Sequence, residues 1–128
     1  MKYLDLVVMK KNLKKRWSRL VAARSRAYGF GGISGDLPKS TSNGTRTERA
    51  VEIILDAERQ YKQLYNDLVD AIKSVPDEYI RNIIFLKLAI HPDGKAAPPA
   101  RDRSWIWVAA HIHSTEDAVK KLVYRLKW

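Results

Sequence analysis

The chain has 128 residues, enough for one domain with a hydrophobic core but few for two. Its 24 lysines and arginines against 14 carboxylates give a formal net charge of +10, which favours a polyanionic partner such as nucleic acid. The lack of cysteine excludes disulfides, thiolate zinc sites and cysteine nucleophiles. No apolar run is long enough for a membrane span or an export signal, so we expect a soluble cytoplasmic protein. The predicted elements are all helical.

The first predicted element is a basic N-terminal helix in residues 1–28. Residues 3–28 contain neither proline nor glycine, and Leu6, Met9, Leu13, Trp17 and Leu20 recur close to every 3.5 residues. Nine cations against one carboxylate place most of the net charge here, either as a solvated face or as a surface that binds phosphates. The candidate phosphate contacts are Lys10, Lys11, Lys14, Lys15, Arg16 and Arg19.

Residues 29–44 change in character, because they hold five of the six glycines together with a Ser/Thr/Asn cluster. This composition predicts a flexible loop. The glycines do not form a phosphate-binding loop motif, since G-x-x-x-x-G-K-[ST] is absent. We therefore expect no nucleotide or other cofactor at this loop.

The second long helix is predicted for residues 45–75 and carries one apolar stripe over about eight turns. Two long helices with one stripe each bury those stripes most simply as an antiparallel hairpin or in a bundle of several chains, so a homo-oligomer is plausible. Glu48, Glu52 and Asp56 repeat every four residues, which is typical of an exposed helix surface rather than of a metal site.

Residues 76–128 are predicted as the helix-turn-helix DNA-binding module, which opens with a central core helix. Pro76, Asp77 and Glu78 favour its start, and apolar residues then occupy more than one of its faces. A basic, proline-broken loop follows, in which Arg101 and Arg103 are candidate contacts to the DNA backbone.

The last twenty-five residues, 104–128, have the pattern of two short helices around one small core. The first stripe is Trp105, Val108, Ala109 and Ile112; the second is Ala118, Val119, Leu122, Val123 and Leu126. Between them Ser114 is a candidate helix cap, with Asp117 suited to the positive helix end. This pattern predicts a helix-turn-helix whose second helix contacts DNA. Its candidate DNA contacts are Ser114, Thr115, Lys120, Lys121, Tyr124 and Arg125.

The remaining aromatic and histidine side chains do not indicate further chemistry. We expect Trp107 and Trp128 to pack against the core or a neighbouring subunit rather than to stack on bases. His111 and His113 point to different sides of a helix end and lack further ligands, which disfavours zinc. No spacing singles out a nucleophile with its base, so we expect neither an enzyme nor a bound metal.

From about residue 44 onward the chain resembles the small phage-encoded late transcriptional regulators of the RinA and ArpU type. The C-terminal module of these regulators is similar to the promoter-binding helix-turn-helix of sigma factors. The resemblance is carried by Trp105, Val108, Ala109 and Ile112, then Ser114 or Thr115 and a basic helix, with His113 where such modules often carry glycine. It implies a phage-encoded transcriptional regulator that binds a promoter or operator in double-stranded DNA within the host cytoplasm.

Two alternatives stay open at the level of sequence. The first is a DNA-packaging factor like the small subunit of terminase, which would form a ring of eight or more subunits. The second is a protein-interaction module that binds a host factor such as RNA polymerase without contacting DNA.

Overall fold

The structure, a computed structural model, describes residues 1–33 and 42–128, with side chains described outside 27–47. In these ranges the chain forms five α-helices and no β-strand, which confirms the predicted all-α class. An isolated backbone bridge joins Lys2 to Lys127. The helices are α1 (Tyr3–Ile33), α2 (Ser42–Lys73), α3 (Glu78–Leu88), α4 (Trp105–His111) and α5 (Glu116–Arg125).

Helices α1 and α2 pack along each other as the predicted hairpin. Leu6, Leu13 and Leu20 of α1 are buried, as are Tyr61 and Leu68 of α2, because each helix turns its apolar stripe toward the other. Polar contacts border this seam: Arg16 donates to Gln60 at 2.7 Å, and Arg24 pairs with Glu58 at 2.9 Å.

The helices extend further than predicted, so the predicted loop of 29–44 was too long. Helix α1 continues to Ile33 and α2 begins at Ser42, while residues 34–41 of that loop lie outside the described residues. Glycine costs a helix roughly 1 kcal/mol relative to alanine, but it does not forbid helical dihedral angles. A long helix that is already formed can therefore continue through several glycines.

Helix α3 is the central core helix, as predicted. The Asp77 side chain caps it by accepting from the backbone N–H groups of Tyr79 and Ile80. Ile83, Ile84 and Leu88 are fully buried. They belong to one cluster with the hairpin and with four residues of α4 and α5, namely Val108, Ala109, Val119 and Val123.

Residues 89–104 cross the hairpin without helical structure and are tied to it by buried polar groups. Ala89 ends α3 in a left-handed conformation with φ 52°. The Tyr61 hydroxyl then donates to the Ala97 carbonyl, and the Tyr65 hydroxyl accepts from the backbone N–H of His91 at 3.2 Å. This segment sets where α4 begins relative to the hairpin.

Lys10 makes the deepest of these contacts, and its prediction as a phosphate contact was wrong. The side chain is 1 % exposed, and its amine donates to the Leu88 carbonyl at the end of α3 and to the Ala100 carbonyl at 3.0 Å. The Asp102 carboxylate lies 3.4 Å away. A cation at a helix C-terminus is favourable because the free carbonyls there carry partial negative charge. Lys10 is therefore a structural cap.

Candidate nucleic-acid interface

Helices α4 and α5 form a helix-turn-helix in the C-terminal quarter of the chain. Ser104 caps α4 by accepting from the Trp107 N–H at 3.1 Å, and Thr115 caps α5 by accepting from the Ala118 N–H at 3.3 Å. Val108 and Val119 are fully buried where the two helices meet. The predicted arrangement of two short helices around a small core is thus present in the structure.

The turn between α4 and α5 differs from the prediction in its cap. The side chain that accepts at the start of α5 belongs to Thr115, whereas the Ser114 backbone N–H donates to the Ala109 carbonyl at 2.8 Å and so helps to close α4. His113 has φ 57°, in the left-handed region that glycine adopts without strain. The turn therefore has the left-handed residue that such turns often supply with glycine, although histidine stands there.

Two core assignments also change within α5. Leu122 is 40 % exposed and Ala118 is exposed, although both were placed in the apolar stripe, whereas their neighbours Val123 and Val119 in that stripe are fully buried. Leu122 and Val123 are adjacent, so they lie about 100° apart around the helix and only one of them can face α4. Leu122 is consequently part of the exposed surface of the helix-turn-helix of α4 and α5, which we call the module.

Aromatic side chains fix the module to the hairpin. The Tyr124 ring lies 5.3 Å from the Tyr3 ring and 5.8 Å from the Trp105 ring, and Lys87 sits over Trp105 at 5.0 Å. Tyr124 was predicted to contact DNA; its ring packs against α1 and α4, although the residue stays 51 % exposed. Its spacing alone could not reveal this role, because Tyr3 is distant in sequence.

The chain termini make a second attachment. The Trp128 indole donates to the Ser74 hydroxyl at 2.7 Å, and the Trp128 backbone N–H donates to the Met1 carbonyl at 3.0 Å. Trp128 also packs against the common core, which confirms its predicted packing role. The C-terminal end of α5 is held on the hairpin, whereas Asp117 and Ala118 in its first turn are exposed.

The cations of α5 differ in how free they are. Lys120 pairs with Glu116 one turn earlier at 2.8 Å, and the hydrogen bond to Glu116 raises the pKa of Lys120. Lys121 and Arg125 are exposed and form no ion pair in the described part of the chain. Lys121 and Arg125 are therefore the α5 side chains most available to a phosphate or a base edge.

A further basic and aromatic surface lies on α4. The Arg103 guanidinium sits 4.1 Å from the centre of the Trp107 ring, and the His111 ring stacks on Trp107 at 4.9 Å. Trp107 is 39 % exposed and lies outside the core, although it was expected to pack against the core or a neighbouring subunit. These three residues are spaced four apart, a helical spacing that the sequence shows, but their stacking was not predicted. Arg101, the other predicted backbone contact, is exposed.

The predicted phosphate contacts on α1 are mostly at the surface. Lys11, Lys15 and Arg19 are exposed, while Lys14 lies 3.9 Å from Asp102. Arg16 is partly buried by its contact with Gln60. The structure thus retains a basic α1 surface after Lys10 is removed from the predicted set.

Other kinds of site find little support among the described residues. In residues 1–33 and 42–128 no three histidine or carboxylate side chains lie close enough together to hold a metal ion. None of the helices in that part of the chain combines the length and hydrophobicity that a membrane span requires. No protein-family model, curated protein or solved structure matches the chain.

Proposed function

We propose that the chain is a sequence-specific DNA-binding regulator of transcription that binds double-stranded DNA through α4 and α5. The observation that carries the proposal is a capped pair of short helices, the second of which is anchored at its C-terminal end through Trp128 and exposes Asp117 and Ala118 in its first turn. In helix-turn-helix proteins the N-terminal residues of the second helix are the ones that contact base edges in the major groove.

The electrostatics of the chain support a polyanionic partner. The module itself has modest charge, since residues 104–128 hold four cations and two carboxylates. Larger positive charge lies on α1 and in the whole chain, which carries a net charge of +10. In this proposal Lys121, Arg125 and Lys120 contact bases or phosphates, Ser114 and Thr115 lie at the phosphate backbone, and basic residues elsewhere contribute sequence-independent attraction.

The resemblance to phage late regulators adds the biological setting of the proposal. In that setting the protein acts in the cytoplasm of a host cell at a promoter or operator. Pairing of two chains through the long helices would place two modules in one particle, as dimeric helix-turn-helix proteins do.

Binding of a labelled duplex, followed by fluorescence anisotropy at rising salt, tests the proposal. Wild type should bind, with a logarithmic salt slope that reflects several phosphate contacts, each contributing about 0.9 to the slope. The variant Lys120→Glu with Lys121→Glu should bind at least about tenfold more weakly and lose roughly two from the slope.

A matched control reverses the same charge elsewhere. Lys62→Glu with Lys73→Glu alters two exposed lysines of α2 and changes the net charge equally. The proposal requires this control to lose much less affinity than the α5 variant. Equal losses in both variants would mean that net charge alone holds the DNA, and no binding by wild type at low salt would refute the function.

A further inference from the structure

The hairpin carries a groove on one face that the helix-turn-helix module leaves open. Its first part has a volume of about 700 Å³ and is lined by the cations Lys15, Arg16, Arg19 and Arg59, with Asp67 as the carboxylate in its lining. Its second part, of about 320 Å³, adjoins the first at Arg19. We call this surface the groove face.

The second part of the groove face is mainly apolar. Ala22 and Ala23 of α1 and Ala50 and Ile53 of α2 line it, and Ile53 is 60 % exposed. From Asn12 to Arg26 the two parts span about 21 Å of α1, or roughly four helical turns. A ligand that fills the groove face must therefore combine negative charge with apolar contacts over the length of a helix.

The segment that leads to the helix-turn-helix packs on a different side of the hairpin. Residues 89–104 reach α1 at Lys10 and Lys14, and Ala97 and Pro98 border a cavity beside Trp17. At 100° per residue, these positions lie on the opposite side of α1 from Arg19 and Ala23. The groove face is thus separate from the contacts that hold the module.

Helix α2 has the chemistry that the groove face lacks. Glu48, Glu52 and Asp56 are exposed and recur once per turn, and Val51 and Leu55 beside them are 44 % and 46 % exposed. This is a helix surface with carboxylates next to apolar side chains. A second copy of the chain therefore presents a surface that complements both the charge and the apolar part of the groove face.

From this complementarity we infer that two copies of the chain pair through their hairpins, with the α2 carboxylates of one copy against the α1 cations of the other. Nucleic acid suits this face less well, since phosphates gain nothing from the apolar part and the Asp67 carboxylate lies in the lining of the basic part. In a two-fold dimer each contact occurs twice, because the same surface serves on both subunits.

The inference deepens the proposed function and rests on it, since pairing supplies the two modules per particle. It reassigns Lys15 and Arg19 from phosphate contacts to the subunit interface, which leaves Lys11 and Lys14 of α1 for DNA. Pairing itself is measured without DNA, so its failure and the failure of DNA binding are separate results.

Sedimentation of charge-reversed variants, separately and mixed, tests the pairing. The cation variant carries Lys15→Glu and Arg19→Glu, and the carboxylate variant carries Glu52→Lys and Asp56→Lys. Each variant alone should dimerise at least about tenfold more weakly than wild type, because like charges then face each other at both contacts. An equimolar mixture should restore the dimer, since opposite charges meet again at both contacts of the mixed pair.

The mixture separates pairing from effects within one chain. The charges within each chain are the same whether the variants are separate or mixed, so only a contact between chains explains recovery on mixing. Recovery also shows that both variants are folded, and helical circular dichroism checks this for each variant alone. Lys62→Glu with Lys73→Glu is the control and should sediment as wild type does. A monomeric wild type, a dimer that persists in both variants, or a mixture that stays monomeric would overturn the inference.

Discussion

Replacing Lys10 by methionine tests whether this lysine holds the segment 89–104 on the hairpin. Methionine keeps an unbranched side chain of similar size but removes the amine. The carbonyls of Leu88 and Ala100 then lose a donor, and Asp102 loses its nearest cation at 3.4 Å. The Oδ1 atom of Asp102 is buried and accepts no hydrogen bond, so once the amine is gone its nearest cation is the mostly solvated Lys14 at 3.9 Å.

The cost can be estimated from burial. Removing one member of a buried ion pair costs about 3–5 kcal/mol, because the other member keeps its desolvation penalty. Asp102 is 33 % exposed and can regain some water, so we expect Lys10→Met to lower the free energy of unfolding by about 2–3 kcal/mol. With a typical slope for urea, the midpoint of unfolding should fall by about 1–2 M.

Lys14→Met is the matched control on the same helix. The Lys14 amine lies 3.9 Å from the same carboxylate, but its side chain is 45 % exposed. Exposed pairs contribute little, so its loss should cost less than about 1 kcal/mol. If Lys10→Met costs no more than Lys14→Met in urea unfolding, the amine does not hold the segment and the reasoning fails.

The pH dependence gives a second check on Lys10. Burial lowers the pKa of Lys10 from its ordinary value of 10.5, and the Asp102 carboxylate opposes part of that change. The folded state then releases its proton before the unfolded state does, so the contribution of Lys10 to stability rises with pH between its lowered pKa and 10.5. The cost of Lys10→Met should grow over that window, and a cost that shrinks there would contradict the assignment.

Three further variants test other contacts. His113→Gly should stabilise the fold by up to about 1 kcal/mol, because glycine removes the left-handed strain, whereas Ala110→Gly inside α4 should destabilise it by about as much; a destabilised His113→Gly protein would contradict the strain. Burial raises the pKa of Tyr61 above its ordinary 10.0, so wild type should lose stability as the pH rises past 10.0, and Tyr61→Phe should lose less. Urea unfolding below and above pH 10.0 measures both losses, and equal losses would refute the role of Tyr61. Trp128→Phe removes the 2.7 Å hydrogen bond to Ser74 and should lower the free energy of unfolding by about 1 kcal/mol. Adding Ser74→Ala should lower it little further, and a full additional loss would mean that the two side chains act independently.

The long helices, their hairpin and the helix-turn-helix followed from periodicity, because each helix buries one stripe and the stripes are regular. Val108 and Val119 were placed in the core on this basis and are fully buried. Leu122 was misplaced, since a helix as short as α5 has room for few core positions and the stripe does not say which of two neighbours faces inward.

Lys10 shows how a pattern based on hydrophobicity fails at a polar position. The buried positions 6, 10, 13 and 20 of α1 and the partly buried position 17 follow each other by alternating steps of four and three residues, so spacing alone includes Lys10. The sequence-based stripe took Met9 instead, because a charged residue is rarely buried without a partner. The partners are carbonyls of residues 88 and 100, and contacts over that distance in sequence become visible only in the folded chain.

The candidate contacts on α5 were predicted from the same spacing, and their local environment was not. The pairing of Lys120 with Glu116 was available from the four-residue spacing of opposite charges. The contact of Tyr124 with Tyr3 depends on how the module meets the hairpin, for which no local signal exists.

The central claim, that α4 and α5 bind a particular DNA sequence, is tested most directly by selecting bound duplexes from a random pool. Wild type should enrich one short motif. Lys120→Glu with Lys121→Glu should abolish the enrichment, while Lys62→Glu with Lys73→Glu should retain it. A pool that stays random after repeated rounds with wild type, or the same motif from the α5 variant, would contradict the account.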